Sequence, residues 1–491
     1  MREQRTMPTL SRLSLGFTCG ALLAACAVGP DYQTPTTAAV TEFKGTAVPF
    51  DTTQSAPGWQ QVEPADLTRT NNWWALFDDP LLDQLQSELI VSNQNLAQAE
   101  ARYRKAFATL RGARAGFYPT LGADASYTRQ GGGVRTDDQG FSTGSNSKRY
   151  DAGLSLDWEL DLWGKLRRQL EADNASLQAS AADLAGARLS AQSTLAQSYF
   201  QLRVMDEQMR LLNETVVAYE RSVQLTDNQY RAGFVARADM VQAQTQLERT
   251  RAQAIDLEWQ RTQLENAIAV LTGKTPVQLR IDTSTAALPN PVIPVTVPST
   301  LLQRRPDIAS AERAVAAANA RIGVAQAAWF PTLSLSANGG YQSSRYGDWF
   351  ELPNRFWAVG PALALTLFDG GARRAVKENA IADYDESVAF YRQTVLDGFR
   401  EVEDALTRVQ VVSREIEVQR RAVALAEEAE RLVTNQYRGG LVSYLNVITA
   451  QTAALESRRA LLILLGDRLT AGVQLIAALG GDWNNGVSAA L

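Results

Sequence analysis

Three carboxylates at alternate positions, Asp157, Glu159 and Asp161, are the residues of this 491-residue chain whose types and spacing most suggest catalysis. Two carboxylic acids flanking a glycosidic bond can divide acid and nucleophile or base duties between them. In an extended segment, however, spacing i, i+2, i+4 puts all three on one face. A row of that kind suits a polar wall better than a cleft. Most other routes to catalysis are closed by composition. The chain has no histidine, hence no Ser–His or Cys–His pair, no imidazole base and no histidine-containing metal site. Its two cysteines, Cys19 and Cys26, cannot build a four-thiolate zinc site or a disulfide framework. Met205, Met209 and Met240 alone do not make a soft-metal site. The net charge of -5 argues against a nucleic-acid surface. Neither an enzyme nor a metal site is expected.

The N-terminus gives an address. Arg2, Arg5 and Arg12 precede the apolar run 13–23, which ends Leu23-Ala24-Ala25-Cys26. A basic start, a short apolar core and small residues before the cut describe a secretory signal peptide. The run falls short of the roughly 20 residues that span a bilayer. Its ending resembles the bacterial lipobox, in which cleavage precedes the cysteine. Cys26 would then carry covalent diacylglycerol and an N-acyl chain, which anchor without spanning. No other cofactor is expected. Ala27 after the cysteine, where an aspartate would retain the protein at the inner membrane, resembles sorting to the outer membrane.

A repeat organises the rest. Gln229-Tyr230-Arg231-Ala232-Gly233 recurs as Gln436-Tyr437-Arg438-Gly439-Gly440, and Phe117-Tyr118-Pro119-Thr120-Leu121 as Trp329-Phe330-Pro331-Thr332-Leu333. Trp163-Gly164-Lys165-Leu166-Arg167-Arg168 has its counterpart in Asp369-Gly370-Gly371-Ala372-Arg373-Arg374. Matches in one order at nearly one offset mark an internal duplication. The chain thus divides into a signal peptide (1–25), a lipidated N-terminal segment (26–78), a first repeat (79–275), a Pro-rich linker (276–300), a second repeat (301–480) and a C-terminal tail (481–491).

Each repeat follows one plan. A helix of about 25–37 residues is followed by two alternating segments, a very long helix and a return helix of about 35 residues. The first opens at Asp79-Pro80, a cap followed by proline at the first helical position. The long helices are expected over 165–231 and 372–438, far beyond the usual roughly 10–14 residues. Their apolar residues keep a seven-residue spacing: Leu195, Leu202, Met209, Val216, Val223 and Tyr230 in one, Ile381, Val388, Val395, Val402, Val409, Ile416 and Val423 in the other. The return helix of the second repeat continues it with Leu441, Ile448, Leu455, Leu462, Leu469 and Ile476. Sustained spacing of this kind makes helices coil around neighbours.

The four alternating segments carry the decisive pattern. Leu121, Ala123, Ala125 and Tyr127 line one face of the first; Tyr150, Ala152, Leu154, Leu156, Trp158 and Leu160 line one of the second. Leu333, Leu335, Ala337 and Tyr341 mark the third, and Trp357, Val359, Pro361, Leu363, Leu365 and Leu367 the fourth. Each has the length of a tilted membrane strand, about 9–11 residues. Phe117, Tyr118, Trp163, Trp329, Phe330, Phe356, Trp357 and Phe368 at their ends fit interfacial girdles. Only closed barrels survive in a bilayer, and the smallest have about eight strands. Spanning strands therefore require several copies of the chain. A coiled-coil envelope lipoprotein that conducts nothing is the competing reading.

Cys26-Ala27-Val28-Gly29-Pro30-Asp31-Tyr32, Trp73-Trp74-Ala75-Leu76-Phe77-Asp78-Asp79-Pro80-Leu81, Leu302-Gln303-Arg304-Arg305-Pro306-Asp307-Ile308 with Ala311-Glu312, then Ile322-Gly323 and Phe330-Pro331-Thr332-Leu333 together resemble the TolC-like outer membrane factors. The likeness covers essentially the whole mature chain and is to the NodT/OprM-type lipoprotein branch. It implies an α+β membrane protein: a homotrimer with four strands per subunit, a twelve-stranded outer-membrane barrel, a long coiled α-helical periplasmic barrel and an equatorial collar that takes in 26–78. It implies a passive exit duct for small molecules, served by a periplasmic adaptor and an inner-membrane pump of the resistance-nodulation-division class. The drug and metal efflux branch fits better than type I secretion. The turns at Tyr230–Gly233 and Tyr437–Gly440 resemble the hairpin tips that close the periplasmic mouth and meet the adaptor. Relatives line the constriction with a leucine and an aspartate; the matching positions are Leu445 and Thr449. Asp239 matches an aspartate of the closing network, whose arginine partner corresponds to Val442, with Arg237 as the candidate substitute. Asp157, Glu159 and Asp161 become carboxylates of the barrel lumen.

Overall fold

A computed structural model describes residues 27–37, 72–131, 135–136, 142–143, 146–289 and 305–481. The signal peptide, Cys26 and the tail beyond 481 lie outside them. In chain order the main elements are α1 (Pro80–Ser92), α2 (Gln94–Ala115), β1 (Thr120–Gly131), β2 (Asn146–Leu160), α3 (Lys165–Arg231), α4 (Arg237–Leu271), α5 (Pro306–Ala327), β3 (Thr332–Ser343), β4 (Arg355–Ala364), α6 (Ala372–Arg438) and α7 (Tyr444–Ala478). The two 67-residue helices α3 and α6 run over the expected bounds.

The first helix of the first repeat is broken where one continuous helix was expected. Asn93 ends α1 with its backbone extended, and its Oδ1 then accepts from the Asn95 and Leu96 amides at 2.9 and 3.0 Å, capping α2. Its Nδ2 donates to the Leu271 carbonyl at 2.8 Å, which ties the break to the end of α4. Asparagine competes with the helix for its own backbone, a local effect that periodicity does not register.

The chain divides into two compact units. One comprises the described residues of Met1–Thr36, Tyr103–Ser180 and Ala311–Tyr391; the other those of Thr37–Arg102, Ala181–Ser310 and Arg392–Leu491. In the first, β1, β2, β3 and β4 form an antiparallel sheet in that order. Residues 27–36 are strapped down by Arg168, which donates to the Val28 and Gly29 carbonyls and to Asp31 at 2.8 Å. The Tyr32 hydroxyl bonds Glu312, which also pairs with Arg313. Burial, then this bond to a carboxylate, pushes the phenol of Tyr32 up.

The second unit holds the main core. Trp73, Trp74 and Phe77 of a short 3₁₀ turn pack with Leu82, Leu85 and Leu89 of α1, Leu195, Tyr199, Phe200 and Leu202 of α3, and Val402, Leu406 and Val409 of α6. The middle of the seven-residue seam is thus buried. Its ends are not: Tyr230 and Ile381 are exposed, and Leu441 lies before α7 begins. Helix α7 is long and apolar enough to cross a membrane by length and composition, yet Leu469, Val473, Leu475 and Ile476 belong to this core.

The described part of the Pro-rich segment, 276–289, is docked rather than free. Ile281 is buried in the core, and its amide donates to Glu265 at 2.7 Å while its carbonyl accepts from Arg261 at 2.6 Å. Arg261 also pairs with the buried Asp206 at 2.6 Å.

Candidate conduit wall and hairpin tips

The register of the sheet decides what its two faces can do. Leu121 pairs with Leu156, Leu156 with Ala337, and Ala337 with Val359. Alternation then places Leu121, Ala123 and Ala125, Ala152, Leu154 and Leu156, Leu333 and Leu335, and Trp357, Val359 and Leu363 on one face. The opposite face carries Thr120, Asp124 and Ser126, Asp151, Ser155, Asp157 and Glu159, and Ser334, Ser336, Asn338 and Gln342. One wall is apolar across all four strands; the other is polar on β1, β2 and β3 and carries Phe356 and the small residues Ala358, Gly360, Ala362 and Ala364 on β4. β1 and β4 are the two edges, unpaired among the described residues.

Aromatic rings gather at both ends. At one end Tyr127 lies 4.8 Å from Tyr150, which meets Tyr346 and Trp349 at 5.7 and 5.5 Å. At the other Trp163 stacks on Phe330 at 5.0 Å, and the Trp158 indole donates to the Phe117 carbonyl at 2.9 Å. Tyr150 and Trp158 are eight residues apart on β2, roughly 27 Å at about 3.4 Å per residue. That matches an apolar band of about 25 Å. The tyrosine-rich end was missed in the sequence because several of its rings come from the loop after β3. Phe356, expected in a girdle, lies on the polar face instead, against Gly153. β4 ends at Ala364, so Leu365 and Leu367 lie outside it.

The three carboxylates separate. Asp157 and Glu159 stand on the polar face, with Glu159 held by Lys165 Nζ at 3.0 Å. Asp161 lies past the strand end, where its carboxylate accepts from the Leu166 and Arg167 amides at 3.0 Å and pairs with Arg167. A helix start recruits an acceptor for its free amides, and Asp369 repeats the arrangement at α6 with Gly371 and Arg373. Among the described residues no cluster of Cys, Asp or Glu is arranged to hold a metal ion.

The hairpin tips share one backbone device. Gly233 and Gly440 have φ of 78 and 74°. Their amides reach the Tyr230 and Tyr437 carbonyls, and the next amides reach Gln229 and Gln436, all at 2.9 Å. This is the Schellman arrangement, in which glycine takes the left-handed position without a Cβ penalty. The side chains diverge. Tyr230 is exposed, whereas Tyr437 is buried, donates to Gln229 Oε1 at 2.9 Å and meets the Tyr444 ring edge-on at 5.3 Å. The Tyr444 hydroxyl shares a hydrogen bond with Ser222 at 2.9 Å. Burial, and the negative charge of Asp239 nearby, push both phenols up. Val442 joins the apolar packing around Tyr437, Tyr444 and Val447. Asp239 forms no ion pair with Arg237 among the described residues. Leu445 is 55% exposed at the tip, while the Thr449 hydroxyl is turned back onto the Leu445 carbonyl at 2.9 Å. Tyr444 and Ser222 were not singled out in the sequence, and Gln229 stood there only as part of the repeat; the seven-residue step from Tyr437 to Tyr444 was the available signal.

A two-faced antiparallel sheet with aromatic ends, carried on paired long helices, defines an outer-membrane channel subunit. The sequence matches the family described as outer membrane efflux protein over residues 85–274 and 297–481, and the chain belongs to that family. It is 31% identical over 483 residues to the probable efflux pump outer membrane protein TtgC of Pseudomonas putida, covering 97% of this chain and 96% of that one. It is 29% identical to the cation efflux system protein CusC of Escherichia coli, covering 96% and 98%. The solved structure of the outer-membrane channel OprN has a TM-score of 0.84 at 32% identity, covering 93% of this chain and 99% of that one. The protein is an outer-membrane efflux component and not an enzyme.

Proposed function

We propose that three copies close their sheets into a twelve-stranded barrel whose polar faces line a passive exit duct. The observation that carries this is the sheet itself: one apolar wall, one polar wall and two open edges. In lipid an open edge leaves backbone groups unsatisfied, and copies of the same strands are the nearest supply of partners. The coiled helices extend the duct into the periplasm, where Tyr230–Gly233 and Tyr437–Gly440 form the tips that receive a periplasmic adaptor and, through it, an inner-membrane pump of the resistance-nodulation-division class. The cargo is small molecules of the drug or toxic-compound kind. Cys26 carries the lipid, and its diacylglycerol and N-acyl chains hold the chain at the outer membrane. Asp239, Leu445 and Thr449 surround the constriction. Leu445→Ser tests the mouth: single-channel conductance in planar bilayers should rise about twofold or more. Unchanged conductance would remove Leu445 from the constriction. A Cys26→Ser protein soluble without detergent would remove the barrel.

A further inference from the structure

The duplication lets the two helical hairpins be compared residue by residue. Helices α3 and α6 both span 67 residues and α4 and α7 both span 35, with Lys165 matching Ala372 and Arg237 matching Tyr444. In the first hairpin a third helix walls the groove between α3 and α4. Met205 and Gln208 of α3, Ala252 and Asp256 of α4, and Arg459 and Ile463 of α7 line a space of about 480 Å³. The matching groove of the second hairpin widens to about 650 Å³, and α6 and α7 alone line it, with Val411, Glu415 and Val418 facing Ala460, Ile463 and Leu464. Its third wall is missing. Ile463 stands between the two grooves and lines both. Its match is Asp256 of α4, which lines one groove and is exposed to solvent beside Ile255 and Trp259. The joint inside the chain is tight: a Cβ added to Gly466 of α7 would lie 2.6 Å from Val204 Cγ2 of α3. The matching pair is Trp259 of α4 and Val411 of α6.

We infer that α4 of a second copy of this chain is the missing wall: Ala252 and Asp256 of one copy close the α6–α7 groove of the next, Asp256 pairs with Arg414, and Trp259 seats against Val411 and Val418. The inference rests on the proposed closure of the sheets by other copies and names the helical contact that accompanies it. Charge agrees. Arg414 lines the open groove and makes no ion pair among the described residues, and Asp256, which accepts from Gln260 at 2.7 Å, makes none either. Polarity agrees as well, since Val418 and Leu425 leave an exposed apolar stripe one heptad step long on α6. Chain order points the same way. The edge strand β4 runs into α6, and the edge strand β1 follows α2, whose cap Asn93 holds the end of α4. A tryptophan cannot enter a joint that excludes a methyl carbon, so the joint between copies is held wider than the one inside a chain and filled by the Trp259 ring.

A photo-crosslinking residue, p-benzoylphenylalanine, placed at position 259 of the full-length protein in its membrane tests the joint. Irradiation should give covalent dimers on denaturing gels, and mass spectrometry should place the adduct within 409–420 on α6 of another copy. No adduct, an adduct within the same chain, or one to a lipid or a different protein overturns the inference. Charge reversal reads the same joint without the probe. Asp256→Arg and Arg414→Asp should each lower the trimer fraction of the detergent-solubilised protein in native mass spectrometry by about two- to fivefold, the range of exposed ion pairs. The double variant should recover most of it. Trp259→Ala should lower it about fivefold or more, as aromatic anchors of interfaces do. Unchanged fractions in the single variants, or a double variant worse than either, remove the ion pair. All three side chains are exposed in the single chain, so these replacements leave the core of the subunit intact. Sheet-edge cysteines that cross-link while position 259 does not would overturn this joint alone; failure of both would overturn the assembly itself.

Discussion

The Tyr437 hydroxyl donates to Gln229 Oε1 at 2.9 Å, joining the end of α6 to the end of α3. Beside it Tyr444 at the start of α7 reaches Ser222 of α3. The two hairpins of one subunit are thereby clasped by neutral phenols, with Val442 packed beside them.

Removing that clasp should loosen the tips. Tyr437→Phe and Tyr444→Phe keep the rings and delete one hydrogen bond each, worth about 0.5–1.5 kcal/mol apiece. The double variant should raise single-channel conductance or opening frequency several-fold with little loss of thermal stability. A melting temperature that falls while conductance stays fixed would make the clasp a matter of packing alone.

The same phenols set an alkaline limit. Tyr199, Tyr219, Tyr437 and Tyr444 are all raised, by burial first, and Tyr199 also donates to Asp79 at 2.7 Å. A group raised in the folded state favours its protonated form there. Its contribution is whole below the unfolded value, about 10, and is lost as pH climbs through the folded value. Thermal stability should therefore be flat in these tyrosines from pH 7 to about 9.5 and fall above about 10.5, less steeply in Tyr199→Phe. Melting temperature against pH checks this, and an equal slope in Tyr199→Phe would discount Tyr199.

Arg261 should be the anchor of the docked segment. Its partner Asp206 is 1% exposed at the side chain, so Arg261→Met strands a buried charge at a cost of about 3–5 kcal/mol. The segment 279–286 also loses a donor at the Ile281 carbonyl and should become protease-sensitive. Replacing both residues, Asp206→Leu with Arg261→Met, should restore much of the stability but not the protection of the segment. Limited proteolysis and melting curves distinguish these outcomes.

The legible parts of this fold are those governed by periodicity. Seven-residue spacing runs through both 67-residue helices, and two-residue alternation through all four strands, because each repeats over many turns or rungs. Single residues that redirect a backbone were hidden. Asn93 breaks a helix whose composition would carry straight on, Asp161 leaves the strand face to cap α3, and the docked Ile281 sits in a segment that composition alone marks as a linker. Phe356 shows the same limit in a strand: its neighbour Trp357 faces the apolar wall, and only the glycine floor opposite explains why a ring can occupy the polar one. At the tips the turns were visible from glycine, but the clasp joins residues about 200 positions apart in sequence and depends on the pairing of two hairpins.

The open sheet edges give the most direct test of assembly. Among the described residues β1 and β4 each have an outer edge without a partner strand, and the cysteine count makes an engineered disulfide easy to interpret. Cys19 belongs to the proposed signal peptide and the Cys26 thiol would be acylated, so the processed native chain would carry no free thiol. One cysteine at Ala123 in β1 and one at Trp357, Val359 or Pro361 in β4, tried in turn, brings the edges of neighbouring copies within reach, since facing Cβ atoms in a sheet lie about 4.5–5.5 Å apart. On oxidation at least one pairing should give covalent dimers and trimers on denaturing gels, with nothing larger. Within one chain the two edges are separated by β2 and β3, roughly 14 Å at about 4.8 Å per strand, too far for a disulfide, whose Cα atoms must lie within about 7 Å. Monomers alone in every pairing would mean that the sheet is not closed by other copies, and a ladder running past three would replace the twelve-stranded barrel with a larger one.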